Sequence, residues 1–332
     1  MVTPSLHTPL CELLRCRWPI LLAGMGGVAR HRLATAVAQA GGFGVLGMVR
    51  EPVDRLREEV KALRAAGIKG FAVNLIPAAT EPALLEQQVE ACLELAVPWM
   101  VLFWDVDTSL VRRLKAAGLG VIHQVGGHDD ALAAVDAGAD ILIAQGLEAG
   151  GHVRGEMTTF SLLTELVPWS PVPVVASGGI AEGRGLAAAL ALGAQGASVG
   201  SAFLATREAH AHDHHKRRVV TARGDDTVHT RLFNRNWHES APVRVLKNRV
   251  TRGEYDDLKA RGTSDIIGEQ DGQPVYLFST DSPLADATGE LNDMALYAGQ
   301  SCGAIHRIDD AAERIDQLVN EARQAIVQLQ GP

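Results

Sequence analysis

Aromatic residues make up only 5% of this 332-residue chain, and its cysteines number four. No run of residues approaches the roughly eighteen apolar positions that mark a membrane-spanning helix, and the N-terminus lacks the long apolar core of a signal peptide. These absences predict a cytoplasmic protein that does not associate with membranes. Cys11, Cys16, Cys92 and Cys302 form no C-x-x-C pair, which excludes the common zinc and dithiol signatures and predicts reduced thiols. Basic charge is also short: 31 Lys and Arg stand against 39 Asp and Glu, for a formal net charge of −8. No basic face dominates, so nucleic acid is excluded as the main partner.

Glycine is plentiful, at 34 residues, and so are short β-branched runs. Candidate strands recur at Pro19 to Leu22, Gly42 to Leu46, Gly70 to Asn74, Trp99 to Phe103, Gly120 to Gln124, Asp140 to Ala144, Val172 to Ala176 and Ala197 to Gly200. Segments with helical apolar spacing lie between them: Arg32 to Ala40, Asp54 to Ala66, Pro82 to Leu95, Leu110 to Ala117, Ala131 to Ala137, Ser161 to Val167 and Leu186 to Leu192. Ala-Gly pairs at Gly41, Gly67, Gly118 and Gly138 read as left-handed helix ends leading into the next strand. Alternation of this kind predicts an α/β protein with a parallel sheet, closed as a (β/α)8 TIM barrel. An open doubly wound sheet is the alternative. Gly24 to Ala29 reads G-x-G-x-x-A, but the second strand ends without the acidic residue that a dinucleotide's ribose requires.

The chain exceeds a minimal barrel by about eighty residues. From Arg207 to Thr288 the text turns charged and irregular, and an amphipathic segment, Ile308 to Leu329, follows. This predicts a barrel over 1–206 and 289–332, with a smaller, mostly helical lid or substrate subdomain inserted at 207–288.

Catalytic residues of such barrels sit at the C-terminal ends of the strands. Small residues follow the last two strands: Ser177, Gly178 and Gly179, then Gly200 and Ser201. Glycines let phosphate oxygens approach backbone N–H groups, and the Ser201 hydroxyl adds a donor. Met25, Asn74, Gln124 and Gln145 stand at other strand ends, where side-chain amides can bond a flat heteroaromatic edge. Together they suggest FMN, its phosphate at strands seven and eight and its ring over the barrel mouth. Gly150 and Gly151 let their loop approach the flavin and aim His152, the best general base because an imidazole titrates near neutrality. His123 reads as packing. His210, His212, His214 and His215 read as a solvated helix face rather than a metal site.

The motifs AGMG (23–26), QGLEAGGH (145–152), ASGGI (176–180) with GRG (183–185), and AGQ (298–300) together resemble the nitronate monooxygenases, formerly called 2-nitropropane dioxygenases. Arg244 to Asn248, R-x-x-x-N, is similar too. The flavin NADH:quinone reductases and flavin-dependent enoyl-acyl-carrier-protein reductases resemble much the same span. The resemblance implies an FMN enzyme that oxidises an alkyl nitronate with dioxygen, releasing a carbonyl compound and nitrite. His152 would take the α-proton of a neutral nitroalkane. FMN contacts are implied at Gly24, Met25, Asn74, Gln124, Gln145, Gly150, Gly151, Ser177, Gly178, Gly179, Gly200, Ser201 and Gln300. Ser201 stands where the family more often has threonine, and Arg154, beyond His152, is placed to meet an anionic substrate. An NAD(P)H-dependent reductase of quinones or enoyl thioesters is the alternative activity. A catalytically idle flavin- or partner-binding module is the third, disfavoured by the retained histidine. A homodimer is compatible with all three.

Overall fold

The computed structural model describes residues 4–237, 241–262 and 265–329. Its strands are β1 (Ile20–Leu22), β2 (Gly44–Gly47), β3 (Phe71–Leu75), β4 (Trp99–Leu102), β5 (Gly120–Val125), β6 (Ile141–Gln145), β7 (Gly151–His152), β8 (Val174–Ser177) and β9 (Gly196–Val199), followed by β10 (Thr227–Thr230), β11 (Val243–Leu246), β12 (Ile266–Gln270), β13 (Gln273–Tyr276) and β14 (Thr288–Gly289). The helices are α1 (Pro9–Leu14), α2 (His31–Gln39), α3 (Val53–Ala65), α4 (Pro82–Glu94), α5 (Thr108–Ala116), α6 (His128–Ala137), α7 (Thr159–Leu166), α8 (Gly183–Ala191), α9 (Ser201–Leu204), α10 (Asp213–Thr221), α11 (Asp256–Ala260) and α12 (Ala311–Leu329).

Eight parallel strands run around the sheet in the order β1-β9-β8-β6-β5-β4-β3-β2. The remaining seam is bridged just before β2: the Leu22 N–H donates to the Phe43 carbonyl at 2.9 Å and the Phe43 N–H to the Ile20 carbonyl at 2.8 Å. The result is a nearly closed (β/α)8 barrel. Its strands are buried on both faces, which is why they appear in the sequence as continuous apolar runs rather than alternating ones. Gly41, Gly67, Gly118 and Gly138 all have φ between 84° and 104°, the left-handed conformation that ends a helix without a Cβ penalty. Helix α12 closes the molecule against α8 and α2. A Cβ on Gly183 would fall 2.3 Å from the Ala322 nitrogen, so the start of α8 needs glycine to make that contact.

The segment 207–288 differs from the mostly helical expectation. Its helices are the short α10 and α11, and the rest is organised by two antiparallel sheets, β10-β11-β7 and β13-β12-β14. The turn Asp271-Gly272, with φ of 49° and 68°, joins β12 to β13 as a two-residue hairpin. The segment is also stitched into the barrel. Strand β11 pairs with β7, placing Val243 opposite His152 and Arg244 opposite Gly151. A second apolar core, including Phe233, Val243, Val245, Leu277 and Phe278, lies beneath these strands.

Candidate active site

A cavity of about 680 Å³ opens where the barrel strands end. Gly24, Met25, Asn74, Gln124 and Gln145 line it from the first six strands, and Gly150, Gly151 and His152 from the loop after β6. Ser177, Gly178, Gly179, Gly200 and Ser201 complete the wall at β8 and β9. Gln300 does not line it: its side chain is exposed and its N–H donates to the Glu148 carbonyl at 3.0 Å, while its neighbours Gly299 and Ser301 face the cavity.

The loop after β6 is held from three sides. Gln145 Nε2 donates to the His152 carbonyl at 2.8 Å, and Gln145 Oε1 accepts the Arg154 N–H at 3.2 Å. Both ends of that amide therefore position His152, leaving Gln145 less free to bind a cofactor than its place at the strand end suggested. The buried Arg244 guanidinium grips the Leu147 carbonyl through Nε and Nη2 at 3.1 and 3.0 Å. The Glu148 carboxylate accepts the Thr159 N–H that opens α7.

So held, the His152 imidazole stacks on Trp237, with ring centroids 3.6 Å apart and planes inclined by 17°. Trp104 meets it edge-on at 6.1 Å, and Tyr297 lies at 5.9 Å. Its Nε2 is shielded from solvent and has no hydrogen-bond partner among the described residues. Burial, and secondarily the Arg50 cation, push the imidazole down to about 3. The ring is therefore neutral at physiological pH with a free lone pair, but it is a weaker base than the near-neutral imidazole that the sequence predicted, because burial disfavours its protonated form.

The turn after β8, the strand beside β6, carries Gly178 and Gly179 at φ 99° and 73°. Thr159 Oγ1 donates to the Ser177 and Gly178 carbonyls at 3.0 and 3.1 Å, whereas the Gly178 and Gly179 N–H groups have no protein acceptor among the described residues. Ser201 Oγ accepts the Gly299 N–H at 2.9 Å, which leaves its own proton to donate. Asn74 Nδ2 donates to the Val101 carbonyl at 3.1 Å, and Asn74 Oδ1 is buried without a partner among the described residues. Free N–H groups at one end and unsatisfied amide oxygen at the other fit a flavin bearing a phosphate. Some of the glycines have another role. A Cβ on Gly24 would lie 2.4 Å from Asn74 Cγ, and one on Gly150 would lie 2.5 Å from the Gly299 nitrogen; these two make room for protein. Gly151, at φ 81°, would project a Cβ into open space.

Other residues singled out in the sequence lie outside the cavity. Arg154 is paired with Asp105 at 3.3 Å and Asp130 at 3.4 Å, and it does not line the cavity. His215 is not solvated: it is fully buried, its Nε2 lies 3.0 Å from the Tyr297 carbonyl, and burial lowers its pKa to about 4. His212 Nδ1 caps α10 by accepting the His214 N–H at 3.0 Å. No group of metal-ligating side chains occurs among the described residues. His123 is buried packing, with Nδ1 3.0 Å from the Gln124 carbonyl. The thiol of Cys302 is buried and pushed up to about 11.

Ile76 and Phe103, from the stretches NLIPAAT (74–80) and LFWDVD (102–107) expected at the mouth, also line the cavity, as do Arg50, Trp237, Tyr297 and the β12–β13 turn, which no motif announced. Trp237, alone in the polar stretch NRNW (234–237), offered the one available sequence signal.

A family model described as nitronate monooxygenase matches residues 7–321. The chain belongs to that family. It is therefore an oxidoreductase of a flavin-dependent family acting on a small molecule. It is 30% identical to a nitronate monooxygenase of Paraburkholderia phytofirmans, over 96% of each chain. It is 36% identical, over 77% of this chain and 71% of the relative, to the (3aS,4S,5R,7aS)-5-hydroxy-7a-methyl-1-oxo-octahydro-1H-indene-4-carboxyl-CoA dehydrogenase of Mycobacterium tuberculosis. Among solved structures, FabK from Thermotoga maritima superposes with a TM-score of 0.84 at 32% identity, covering 98% of this chain and 99% of that one. No helix among the described residues is long and apolar enough to cross a membrane.

Proposed function

We propose that this protein is an FMN-dependent monooxygenase of alkyl nitronates, converting them with dioxygen to carbonyl compounds and nitrite, and that His152 is the base when a neutral nitroalkane is supplied. The carrying observation is the neutral, unpartnered Nε2 of His152 on the wall of a cavity that also offers free N–H groups at Gly178 and Gly179. Gly178, Gly179, Gly200 and Ser201 would hold the phosphate; Asn74, Gln124 and the backbone at Met25 would hold the ring edge. Bound there, FMN supplies the acceptor for the substrate's electrons. His152 Nε2 takes the proton from carbon. Trp237, Trp104 and Tyr297 keep water from the imidazole, and the segment 207–288 acts as the cover of the site.

The second reading is an NAD(P)H-dependent reductase, favoured by the 36% identity to an enzyme named for an acyl-CoA and by the 32% identity to FabK. Anaerobic mixing of the yellow protein with propionate 3-nitronate, and separately with NADH and NADPH, decides between them. Flavin reduction by nitronate with no response to either nucleotide supports the monooxygenase. Bleaching by a nucleotide with no response to nitronate assigns the reductase.

A further inference from the structure

We propose that Arg50 selects anionic substrates at this site, seating a carboxylate or nitronate group while Ile76, Phe103 and Trp237 take the carbon skeleton. The inference rests on the cavity being the substrate site, whichever reaction it performs.

Arg50 follows β2 and lines the cavity together with those three side chains. Its backbone is left-handed, at φ 60°, an uncommon and unfavourable conformation for a residue with a Cβ. A position held there against such a cost invites a functional reading. The side chain reaches across to the segment 207–288, an excursion from the barrel. Nη1 donates to the Asn236 carbonyl at 2.7 Å and Nη2 to Thr280 Oγ1 at 3.1 Å. Two of its five N–H donors are thereby engaged, both by neutral acceptors. The carboxylate in reach, Asp281, stands 3.9 Å away and takes its shorter bonds, 3.1 Å each, from Asn236 Nδ2. Arg50 therefore keeps N–H donors for a ligand beside its loose ion pair with Asp281, in contrast to Arg154, which two aspartates hold outside the cavity. Its charge is felt at both His152 and Tyr297, so an anion beside it is within the field of the base. The adjoining wall is apolar: Ile76, Phe103 and Trp104 form one buried cluster on which Val49 and Trp237 pack. A cation beside an apolar wall recognises a small amphipathic anion.

Benzoate and its neutral isostere benzamide test this on the flavin-loaded protein, by calorimetry together with the flavin absorption shift that reports entry into the cavity. The variants are Arg50→Gln and Arg50→Lys, with circular dichroism as the check on folding. Wild type is expected to bind benzoate more tightly than benzamide. Arg50→Gln should weaken benzoate by about tenfold to a hundredfold, the range for a charge-assisted hydrogen bond, and leave benzamide within about threefold. Arg50→Lys should recover part of the loss. Equal weakening of both ligands would make Arg50 a brace for Asn236 and Trp237, and the proposal would fall. It falls equally if benzoate binds the Gln variant unchanged or does not bind wild type. Because binding is read without turnover, a protein inert to nitronate that shows the Arg50 effect would refute the monooxygenase reading alone.

Discussion

Trp237 lies flat against His152, its ring centroid 3.6 Å from the imidazole's and its plane tilted by 17°. One residue comes from the excursion and the other from the barrel's own loop after β6. The contact buries an imidazole whose Nε2 has no partner among the described residues, and burial is the larger reason that its pKa falls to about 3.

Replacing Trp237 with alanine should admit water to the ring and raise that pKa toward its ordinary value of about 6.5. The base works only when neutral, so activity disappears as pH falls through its pKa. The acid limb of kcat/KM for a neutral substrate should therefore move up by more than about one unit. A pH profile of wild type and variant measures it, and coincident limbs would remove Trp237 as the shield.

His152→Ala should reduce turnover of a neutral nitroalkane by about two to four orders of magnitude, the range for general-base removal, with flavin retained. A preformed nitronate needs no deprotonation and should suffer less. Steady-state rates on both forms, with released flavin counted by absorbance, separate base removal from cofactor loss.

Gly179→Asp should strip the protein of flavin. The residue stands at φ 73°, and its new Cβ would press within 3.2 Å of the Glu148 side chain. A carboxylate there would face both Glu148 and the phosphate proposed for the turn. A purified variant as yellow as wild type would count against the phosphate assignment.

Arg244→Met should loosen the loop that carries His152. The Leu147 carbonyl would lose two charged donors at 3.1 and 3.0 Å in a buried setting, a destabilisation of about 2–4 kcal/mol. Chemical denaturation should show the lost stability, and the His152 loop should exchange its amide protons faster than in wild type.

Acid should destabilise the fold before it protonates surface carboxylates. His123 and His215 are buried, and burial lowers both to about 4, while in the unfolded chain they take protons near pH 6.5. Their contribution is complete above about pH 7 and is lost as pH falls from about 6.5 toward 4, by up to about 3 kcal/mol each. Stability curves at pH 7.5 and 5 should differ accordingly, and His123→Gln, if folded, should flatten part of the difference.

The barrel was legible because each of its strands is short, apolar and buried on both faces, so Ile141–Gln145 or Val174–Ser177 declares itself without reference to any partner. The left-handed glycines at helix ends were legible for a similar reason: Gly67 and Gly118 have no atom within 4 Å of a notional Cβ, so their φ is a local backbone requirement. The excursion misled because its charge obscured its strands. Its clearest local signal was the Asp271-Gly272 dipeptide, which makes the hairpin turn.

Local pattern also located the cavity wall, from Gly24 through Ser201, since strand ends follow from strands. Sequence alone determined the (β/α)8 plan, the glycine turns and the candidacy of His152, all of which depend on residues close together in the chain. Tertiary structure decided what surrounds that histidine. Trp237 is 85 positions away, Tyr297 further still, and Arg50 precedes it by a hundred, and pairing of Val243 with His152 helps bring the excursion to the barrel. Gln145 became a brace and Arg154 a surface ion pair through contacts of the same non-local kind. Burial and charge at a site are sums over neighbours in space, and no short stretch of sequence contains those neighbours.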